Sequence, residues 1–430
     1  MARKSLLIVN FRQKNNISRR IRGNGSGIES LYHKKQLEVL KFAMSQDYFM
    51  LINHGAKRTG KTIVDNDLFL YELRRVRKIA DKLNIKLPQY ILAGADLGAL
   101  QRNVLNELTN KYDIEFKFDK HNRFLLFGVQ VCCFGHSKIN DLGRIRGMTA
   151  FGAYINEGTM ANEEVFNEIK ARCSGEGARI LVDTNPDQPE HWLKTNFIDK
   201  ADGKVIQAYH YELDDNTFLD NRYRNNVKAS TPSGMFYDRD IKGLWVSADG
   251  IVYQDFRKDI HYISRKELQN KNIVRYFAGV DWGYEHYGAV VLIGEDDKGN
   301  LYLIKEIAKQ YQDIDYWVKV AKDIISKYGN IPFYCDTARP EHIVRFQNEG
   351  INALYANKSV LSGIEIVAKR FKTNSLYVVE DDVELFKKEI FMYAWNKKTG
   401  EPLKVWDDVL DSLRYAIYTD SVGYGMTVLK

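Results

Sequence analysis

Residues 55–62 read Gly-Ala-Lys-Arg-Thr-Gly-Lys-Thr and have the spacing G-x-x-x-x-G-K-T of a phosphate-binding loop, or P-loop. The glycines let the backbone pass close to a phosphate, while backbone N–H groups and the start of the next helix supply positive potential. Lys61 would reach the β- and γ-phosphates, and the Thr62 hydroxyl would ligate Mg²⁺. An apolar run at 48–52 precedes the motif and a helical pattern follows it, which is the context that a P-loop requires. The residues predicted to bind the nucleotide here are Gly55, Ala56, Lys57, Arg58, Thr59, Gly60, Lys61 and Thr62.

A carboxylate at the end of a later strand could complete a phosphoryl-transfer site. The apolar run 151–155 is followed by Asn156 and Glu157. Glu157 is the candidate general base for hydrolysis, and an ordinary strand end with a polar cap is the alternative. Asn156 stands where such enzymes usually carry an Asp. Because a neutral amide holds the hydration shell of Mg²⁺ less strongly, we expect Thr62 and the phosphates to carry more of the metal.

Two further polar residues, Thr184 and Asn185, follow the next apolar run, 180–183. A Thr and an Asn at the tip of a strand can sense a γ-phosphate and transmit its loss to the residues that follow. The same Thr-Asn-Pro sequence, taken alone, indicates only a turn. We expect both residues at the nucleotide site.

Acidic residues form a second group in the rear half of the chain. Asp281 and Asp336 each end an apolar, strand-like run, whereas Asp408 and Asp411 lie three residues apart in a helical pattern. Two strand-end carboxylates that meet an acidic helix face can form a two-metal phosphodiesterase site, because cations must neutralise like charges held together. Asp407 shares a face with Asp411, but a negative charge at the helix N-terminus is the favoured interpretation for it. The predicted metal ligands are Asp281, Asp336, Asp408 and Asp411, and those predicted to be catalytic are Asp281, Asp336 and Asp411.

The length and charge of the chain limit the classes of protein to which it can belong. Its 430 residues exceed one ordinary core and indicate two or three domains. The formal net charge of +7 is compatible with a polyanionic partner. Residues 1–30 are predicted to be a flexible basic arm, since 12–30 is polar and carries three arginines at 19–22. A second basic cluster at 74–78 is equally compatible with a solvated helix face.

The cysteines and histidines give little sign of another metal centre. The four cysteines have no C-x-x-C spacing, so neither a zinc site nor a disulfide framework is predicted. His286, five residues after Asp281, is not expected to join the metal shell. No secretory apolar region opens the chain and no run of 18 or more apolar residues occurs, so we expect a soluble, intracellular protein.

Apolar, strand-like runs alternate with helical patterns in the first half of the chain. Such an alternation indicates a largely parallel sheet covered on both faces, with a nucleotide at its carboxyl edge. The predicted strands are 49–52, 90–93, 124–134, 152–155, 179–182 and 205–211, with helices at 97–108 and 163–173. The P-loop ATPase domain is assigned to 31–210.

A second alternating series follows a less regular connecting subdomain at 211–261. Its first three predicted strands, 276–280, 288–293 and 301–306, include a hairpin turn at 296–300. The segments that follow are 316–327, 333–335, 340–348, 353–355, 364–371, 376–379, 383–393 and a final helix at 405–418. Three meandering strands followed by α/β alternation is the order found in ribonuclease-H-like nucleases. Residues 262–430 are therefore predicted to form such a domain.

Taken together, these features resemble the terminase large subunit of tailed bacteriophages. The motifs that carry the resemblance are 55–62, Arg146-Gly147 before 155–157, 182–186, 241–253, 336–341 and 357–364. They extend from about Gln36 to Ala416, and two centres in this order are more specific than any one motif. The resemblance implies an ASCE-type P-loop ATPase domain with a parallel sheet, followed by a ribonuclease-H-like nuclease domain.

The resemblance also implies roles for individual residues. The segment 184–186 would be the motif that couples hydrolysis to movement. Arg146 would act as an arginine finger on the ATP of a neighbouring subunit, and Arg58, inside the P-loop, is the rival finger in cis. Gln36 would read the adenine. Lys358 would face the DNA backbone, with a solvated loop lysine as the alternative.

By the same resemblance, the chain would use ATP and Mg²⁺ to translocate double-stranded viral DNA into procapsids. Two Mg²⁺ or Mn²⁺ ions would serve a nuclease that cuts the concatemeric genome. Its partners would be DNA, a small terminase subunit and the portal protein, on which it would form a ring, a pentamer in this family, with a monomer in solution also compatible. It would act in the cytoplasm of the infected bacterium and be absent from the mature virion.

Two other kinds of protein carry some of the same features. A helicase or repair ATPase with an accessory nuclease would need a second motor lobe with its own nucleotide-facing motifs, and the sequence after Pro186 has none. A nucleotide-dependent structural subunit with an inactive nuclease half is the other alternative. Cleavage and unwinding assays separate the three.

Overall fold

The computed structural model describes residues 30–139, 142–397 and 399–423. Apart from Ser30, the predicted basic arm at 1–30 lies outside these residues. No helix in this described part of the chain is long and apolar enough to cross a lipid bilayer.

The chain divides into two compact units. The first comprises the residues up to Arg224 together with Asp238–Val246. The second comprises Asn225–Tyr237 and the residues from Ser247 onward. Residues of the predicted connecting subdomain, 211–261, are thus distributed over both units.

The first unit contains a seven-stranded sheet in its described part. Its strands are β1 (Met50–Gly55), β2 (Gln89–Gly94), β3 (Arg123–Leu126), β4 (Val129–Gly135), β5 (Ala150–Ile155), β6 (Arg179–Thr184) and β7 (Ile206–Tyr211). The α-helices of this part of the chain are α1 (Lys34–Ser45), α2 (Lys61–Lys82), α3 (Leu97–Leu100), α4 (Asn106–Tyr112), α5 (Leu142–Ile145) and α6 (Glu163–Arg172), and α7 (Asn221–Ser230) and α8 (Met235–Asp240) follow β7.

The strand order of this sheet is β3-β4-β2-β5-β6-β1-β7. Every neighbouring pair is parallel except β3 and β4, which confirms the predicted largely parallel sheet. The run 124–134, predicted as one strand, is instead an antiparallel hairpin. It turns at Phe127 and Gly128, whose φ angles of 53° and 74° reverse the chain.

Both faces of the sheet are covered, as the alternation predicted. Along β1, Leu51 packs into one apolar cluster, with Leu181 of β6. Met50 and Ile52 point the other way and pack into a second cluster with Val182. Because successive side chains of a strand point to opposite faces, a strand that is buried throughout needs apolar residues at every position.

The predicted helix at 97–108 is not a continuous α-helix. It begins as α3, continues as a π-helical turn over Gln101–Leu105, and resumes as α4. Such turns are rare and often occur at functional sites. Here the turn carries Asn103 towards the polar end of β5, where its side chain contacts Asn156.

The second unit also contains a seven-stranded sheet in its described part. Its strands are β8 (Tyr262–Ile263), β9 (Ile273–Asp281), β10 (Gly288–Asp296), β11 (Leu301–Lys309), β12 (Phe333–Cys335), β13 (Ala353–Tyr355) and β14 (Leu376–Val379). Its further helices are α9 (Lys258–His261), α10 (Arg265–Gln269), α11 (Ile314–Tyr328), α12 (Pro340–Asn348), α13 (Val360–Lys372), α14 (Phe386–Met392) and α15 (Asp408–Val422).

The order of this second sheet is β13-β12-β9-β10-β11-β14-β8. Strands β9, β10 and β11 form an antiparallel meander, and β12 and β13 add in parallel on the other side of β9. This is the ribonuclease-H-like arrangement that the sequence predicted. The short edge strand β8, parallel to β14, was not predicted.

The final helix, α15, begins later than the sequence predicted. The predicted start was residue 405, but the helix begins at Asp408 with Asp407 as its N-cap residue. Trp406 has φ of 60°, which lies in the left-handed region and interrupts a right-handed helix. The shift places Asp408 in the first turn.

Helix α15 lies close against β9 because Gly279 has no side chain. A Cβ atom on Gly279 would lie 2.0 Å from the carbonyl oxygen of Ser412. The close approach brings the N-terminal part of α15 to the carboxyl end of β9. The acidic residues of both elements therefore meet.

Candidate active sites

The P-loop connects β1 to α2 in the first unit. Gly55 has φ of +136°, and a Cβ atom there would lie 2.1 Å from the carbonyl oxygen of Tyr211. Gly60 has φ of +84°, which also favours glycine. These two positions explain why the motif has glycines at its ends. The backbone between them forms a cradle at the N-terminus of α2, the arrangement that binds phosphate.

The Lys61 side chain is buried within this loop. Its Nζ donates hydrogen bonds to the carbonyl oxygens of Gly55 at 2.9 Å and Ala56 at 2.5 Å, and contacts Asn185 Oδ1 at 3.3 Å. Burial lowers the pKa of Lys61 to about 8, against the opposing effect of nearby carboxylates. The ammonium is thus held by neutral oxygens, and phosphate oxygens would be stronger acceptors.

Gln36 contacts the P-loop backbone. Its Nε2 donates to the carbonyl oxygen of Gly60 at 2.9 Å, and its Oε1 accepts from the backbone N–H of His33 at 3.1 Å. The His33 ring adds a 2.9 Å contact to the carbonyl oxygen of Thr59. The Gln36 amide therefore connects the start of α1 to the P-loop, and its role in reading adenine stays a prediction.

A buried carboxylate that the sequence interpretation missed, Asp183, lies at the centre of the site. It accepts hydrogen bonds from the Thr62 hydroxyl and, at 3.1 Å, from the backbone N–H of Glu157. Asn156 Nδ2 donates to both of its oxygens, at 2.9 and 3.1 Å. Burial raises the pKa of Asp183, whereas these hydrogen bonds and the charge of Lys61 lower it. The sequence does contain a signal for Asp183, because this residue follows an apolar run just as Asp281 does.

Asn156 is fixed on every side. Its Oδ1 accepts from Asn103 Nδ2 at 3.1 Å, and its backbone oxygen contacts His136 Nε2 at 2.7 Å. With Nδ2 bonded to Asp183, the orientation of the amide is set by its partners. In this structure Asn156 bonds to protein groups. Its expected weak hold on the hydration shell of Mg²⁺ stays a prediction.

Glu157, the candidate general base, follows β5 with φ of 59°. The left-handed backbone turns the chain sharply and leaves the side chain half-buried. Burial raises the pKa of Glu157, as do Asp183 and Asp96, while Arg102 acts in the opposite direction. A carboxylate with a raised pKa is a better proton acceptor, as a general base requires.

The predicted coupling residues contact both the P-loop and the loop after Glu157. Thr184 Oγ1 accepts from the backbone N–H of Thr159 at 2.9 Å and contacts its hydroxyl at 2.8 Å. Asn185 contacts Lys61, as described above. The tip of β6 therefore connects the P-loop lysine to the segment that follows the candidate base.

The two candidate arginine fingers are both exposed, on different loops of the first unit. Arg58 lies in the P-loop with φ of 61°, and its carbonyl oxygen accepts from Asn216 Nδ2 at 2.8 Å. Arg146 follows α5. The neighbouring Lys57 pairs with Asp240 at 2.8 Å. Exposure suits either arginine for phosphate contact, so the choice between them stays open.

In the second unit, the predicted acidic residues come together at the carboxyl ends of β9 and β12. Asp281 ends β9, and the backbone N–H of Asp336 donates to the carbonyl oxygen of Val280 at 2.9 Å. Burial raises the pKa of Asp281 well above its usual value, and the like charges of Asp411, Asp336 and two further acids raise it further. Clustered acids of this kind are costly without cations to neutralise them.

Basic residues already lie against two of these acids. Lys358 Nζ is 2.5 Å from Asp336 Oδ1. Arg414 contacts both oxygens of Asp411, with Nη2–Oδ2 of 2.8 Å and Nε–Oδ1 of 3.2 Å. Within the described residues, no group of three or more His, Cys, Asp or Glu side chains is arranged to hold a metal ion as it stands. Lys358, predicted to contact DNA, thus pairs with an acid of the cluster here.

Asp407 and Asp408 belong to the same acidic cluster. Asp407 is the N-cap residue of α15 but makes no side-chain capping bond. Burial raises its pKa to about 6, and Asp411 and Asp408 add to the effect. Burial also raises the pKa of Asp408, and the nearby His286 lowers it. The sequence favoured a helix N-terminal charge for Asp407. In the structure Asp407 also interacts electrostatically with Asp408 and Asp411.

Glu389 is a second buried acid that sequence reasoning missed. Its Oε2 accepts from the backbone N–H groups of Val409 and Leu410, at 2.9 and 3.0 Å. Burial raises its pKa to about 8, although these two hydrogen bonds lower it. The carboxylate holds the N-terminus of α15, the helix that carries Asp408 and Asp411.

The fold and the two sites define a P-loop nucleotide-binding fold and a ribonuclease-H-like fold in one chain. The family model described as "Terminase large subunit, T4likevirus-type, N-terminal" matches residues 91–258. Over these residues the chain is similar to the terminase large subunits that the family model describes.

Solved structures of a relative resemble nearly the whole chain. The large terminase of a thermophilic bacteriophage has a TM-score of 0.76 and 25% identity, and the alignment covers 92% of this chain and 100% of that one. The same phage protein in complex with ADP and with ATP-gamma-S gives a TM-score of 0.73 and 26% identity in each case, covering 91% of this chain and 100% of those. No curated protein matched the chain.

Proposed function

We propose that this chain hydrolyses ATP to translocate double-stranded viral DNA into procapsids and cuts concatemeric DNA with its second unit. One observation carries the proposal: a P-loop with a buried lysine and an acidic cluster at a ribonuclease-H-like sheet edge occur in one chain. We assign ATP hydrolysis to 31–210, the connection to 211–261 and cleavage to 262–430. The match of residues 91–258 to the terminase family model and the nucleotide complexes of the similar thermophilic phage protein support this assignment.

The first unit would bind ATP with Mg²⁺ at the P-loop. The cradle between Gly55 and Gly60 has no Cβ atoms at its ends, so it fits a phosphate. Lys61 would exchange its carbonyl contacts for the β- and γ-phosphates, and Thr62 would hold the metal. When bound, Mg²⁺ supplies neutralisation of the phosphate charge. Gln36 would contact the adenine.

Hydrolysis would depend on polar side chains that the first unit carries around the P-loop. Glu157, with its raised pKa, would orient the attacking water and accept its proton. Asn185, in contact with Lys61, would sense the γ-phosphate, and Thr184 would transmit its loss to the loop after Glu157. Arg146 or Arg58 would stabilise the charge that spreads over the transferred phosphoryl group.

The second unit would bind two Mg²⁺ or Mn²⁺ ions through Asp281, Asp336, Asp408 and Asp411. Carboxylate oxygens are the donors that these hard cations prefer, and the mutual repulsion of the acids fits a site that cations neutralise. When bound, the ions supply stabilisation of the charge at the scissile phosphate. Lys358 would leave Asp336 and contact the DNA backbone, while Arg414 would keep Asp411 oriented.

The proposal is tested by separating the two activities in purified protein. Plasmid cleavage with Mn²⁺ should be lost in Asp281→Ala and kept in Lys61→Ala, while ATP hydrolysis should show the opposite pattern. Asp297→Ala is the matched control for cleavage, since it removes an exposed acid from the same meander. Wild-type protein without cleavage would contradict the nuclease assignment, and strand separation on a forked duplex would favour a helicase instead.

The partners follow from the same proposal. The chain would assemble as a ring, a pentamer, on the portal protein of the procapsid and receive DNA with a small terminase subunit, in the cytoplasm of the infected bacterium. Lys and Arg contacts to phosphates would make its DNA binding salt-sensitive and largely independent of sequence.

A further inference from the structure

Asn156 and Asp183 lie side by side at the ends of neighbouring strands. Strands β5 and β6 are parallel, and Ile155 pairs with Val182, so the next residue of each strand is also adjacent. Asn156 has no exposed surface, and Asp183 is 2% exposed. The two side chains form one buried unit with one carboxyl group.

The hydrogen bonds of this pair have a fixed direction. Asn103 donates to the Oδ1 atom of Asn156, and Nδ2 of Asn156 donates to both oxygens of Asp183. Asp183 in turn accepts from the Thr62 hydroxyl. Asp183 therefore contacts the P-loop hydroxyl that is expected to bind Mg²⁺. Asn156 is connected to that hydroxyl through Asp183.

We propose that Asp183 supplies the acidic group that holds the Mg²⁺ of bound ATP, a role that an acid at position 156 would otherwise serve. The inference rests on the proposed ATPase function and adds a residue to it. An amide thus follows β5 where such enzymes usually carry an acid, and an acid lies beside it on β6. This pair of positions still contains one carboxyl group, and it contacts Thr62.

Electrostatics explains why an amide at position 156 goes together with an acid at position 183. An acid at 156 beside an unchanged Asp183 would put two carboxylates within about 3 Å in a buried site, and one of them would have to stay protonated. An amide at both positions would leave the hydroxyl of Thr62 and the bound metal without a negative partner. One acid and one amide, in either order, satisfy the charge.

A purely structural role for Asp183, as a support for Thr62 and the P-loop, predicts a different result. Loss of a structural support would weaken nucleotide binding equally with and without Mg²⁺. Loss of a metal-holding group would weaken binding only when Mg²⁺ is present. ADP is therefore titrated into the full-length protein by calorimetry, in excess EDTA and in Mg²⁺, and ATP hydrolysis is measured across a Mg²⁺ series.

Three variants are compared with wild type: Asp183→Asn, Asn156→Asp and the double exchange. In Asp183→Asn we expect the half-saturating Mg²⁺ concentration to rise at least tenfold, with ADP affinity in EDTA within about threefold of wild type. Asn156→Asp alone should bind ADP less well than the exchange variant. The exchange variant should return the Mg²⁺ requirement to within about threefold of wild type.

Asp65→Asn is the matched control, because Asp65 is another fully buried acid near the P-loop whose side chain contacts Asn53. It should leave the Mg²⁺ requirement unchanged, and thermal melts check that all variants fold. An unchanged Mg²⁺ requirement in Asp183→Asn, or an exchange variant as impaired as that single variant, would overturn the inference. Wild-type protein that neither binds ADP nor hydrolyses ATP would instead overturn the proposed function itself.

Discussion

The two basic residues of the acidic cluster differ in how firmly they are held. Arg414 has a side chain that is 3% exposed, contacts both oxygens of Asp411 and lies over the ring of Tyr415 at 4.7 Å. Lys358 has a side chain that is 40% exposed and contacts Asp336 through its ammonium group. A planar guanidinium held at several points is a permanent partner, whereas an ammonium on a flexible stem can be displaced. We infer that Lys358 is the exchangeable counter-charge.

Replacing Lys358 by Met should therefore make the protein depend more on divalent cations. In EDTA, Asp336 would lose its partner while staying buried, which should lower the stability of the second unit by about 1 kcal/mol, a value reduced by the exposure of the lysine. With Mn²⁺ the loss should disappear. Thermal melts in EDTA and in Mn²⁺ measure the effect as a larger Mn²⁺-induced rise of Tm than in wild type.

Lys372→Met provides the matched control for this experiment. Lys372 also pairs a partly exposed ammonium with a mostly buried acid, Asp255, at 3.2 Å. It should lower Tm in EDTA without any additional response to Mn²⁺. An equal Mn²⁺ response in Lys358→Met and wild type would show that the ammonium and the metal do not compete for Asp336.

At the scale of residues, the sequence predicts those site residues that belong to a motif or follow an apolar run. Lys61 and Thr62 follow from a motif, and Asp281 and Asp336 follow from apolar runs that end in an acid. Asp183 has that same signal, but its importance depends on a contact between neighbouring strands, and strand order is not readable from spacing. No comparable signal marks residue 389, because its function is to hold two backbone N–H groups twenty residues away.

At the scale of elements, two acids connect the helices behind the acidic cluster of the second unit. Glu306 of β11 accepts from the backbone N–H groups of Glu384, Leu385 and Phe386, at the start of α14. Glu389 of α14 accepts from those at the start of α15. A carboxyl oxygen near a helix N-terminus accepts hydrogen bonds from donors that the helix itself leaves unpaired. The position of α15 therefore depends on a chain of caps that begins in the sheet.

Because burial raises the pKa of Glu389 to about 8, stability should depend on pH through this residue. The native protein keeps the proton up to about pH 8, whereas the unfolded chain releases it near the ordinary glutamate value of 4.5. The native state thus binds more protons within this window, and stability falls as pH rises through it. Glu389→Gln keeps an acceptor for both N–H groups but has no proton to lose.

The stability of Glu389→Gln relative to wild type should accordingly rise between pH 5.5 and 8, by about 1–3 kcal/mol. Urea denaturation in EDTA at both pH values measures the difference, and the comparison of two variants cancels the titration of other groups. A difference that stays constant with pH, or falls, would contradict the raised pKa.

The elements themselves were largely predictable, and the exceptions have local causes. The meander, β12, α12, β13 and β14 lie where the apolar runs predicted them. The hairpin of β3 and β4 was read as one strand because Gly128 is the only turn residue in a continuous apolar run. The start of α15 was placed too early because Val405 and Trp406 extend the helical pattern, and only the backbone angle of Trp406 shows the break.

At the scale of the whole molecule, the arginine finger acts either within one subunit or on the ATP of a neighbouring subunit. Both Arg58 and Arg146 are exposed in the first unit. If Arg146 acts on a neighbour, two inactive proteins can complement each other within a ring. Lys61→Ala keeps the arginine but loses the phosphate-binding lysine, and Arg146→Ala keeps the P-loop but loses the arginine.

A mixture of Lys61→Ala and Arg146→Ala should therefore regain ATP hydrolysis, although each protein alone is inactive. In an equal mixture about half of the subunits keep an intact P-loop and about half of those have a neighbour with Arg146, so about a quarter of the wild-type rate is expected if sites fire independently. Arg58→Ala, alone and mixed with Lys61→Ala, is the control. If Arg58 is the finger in cis, this protein is inactive in both cases, because a neighbour cannot supply such a finger; if Arg146 is the finger, it is active by itself. The rates are measured at protein concentrations where subunits assemble. No recovery with Arg146→Ala, or an Arg146→Ala protein that is active by itself, would contradict a trans-acting Arg146.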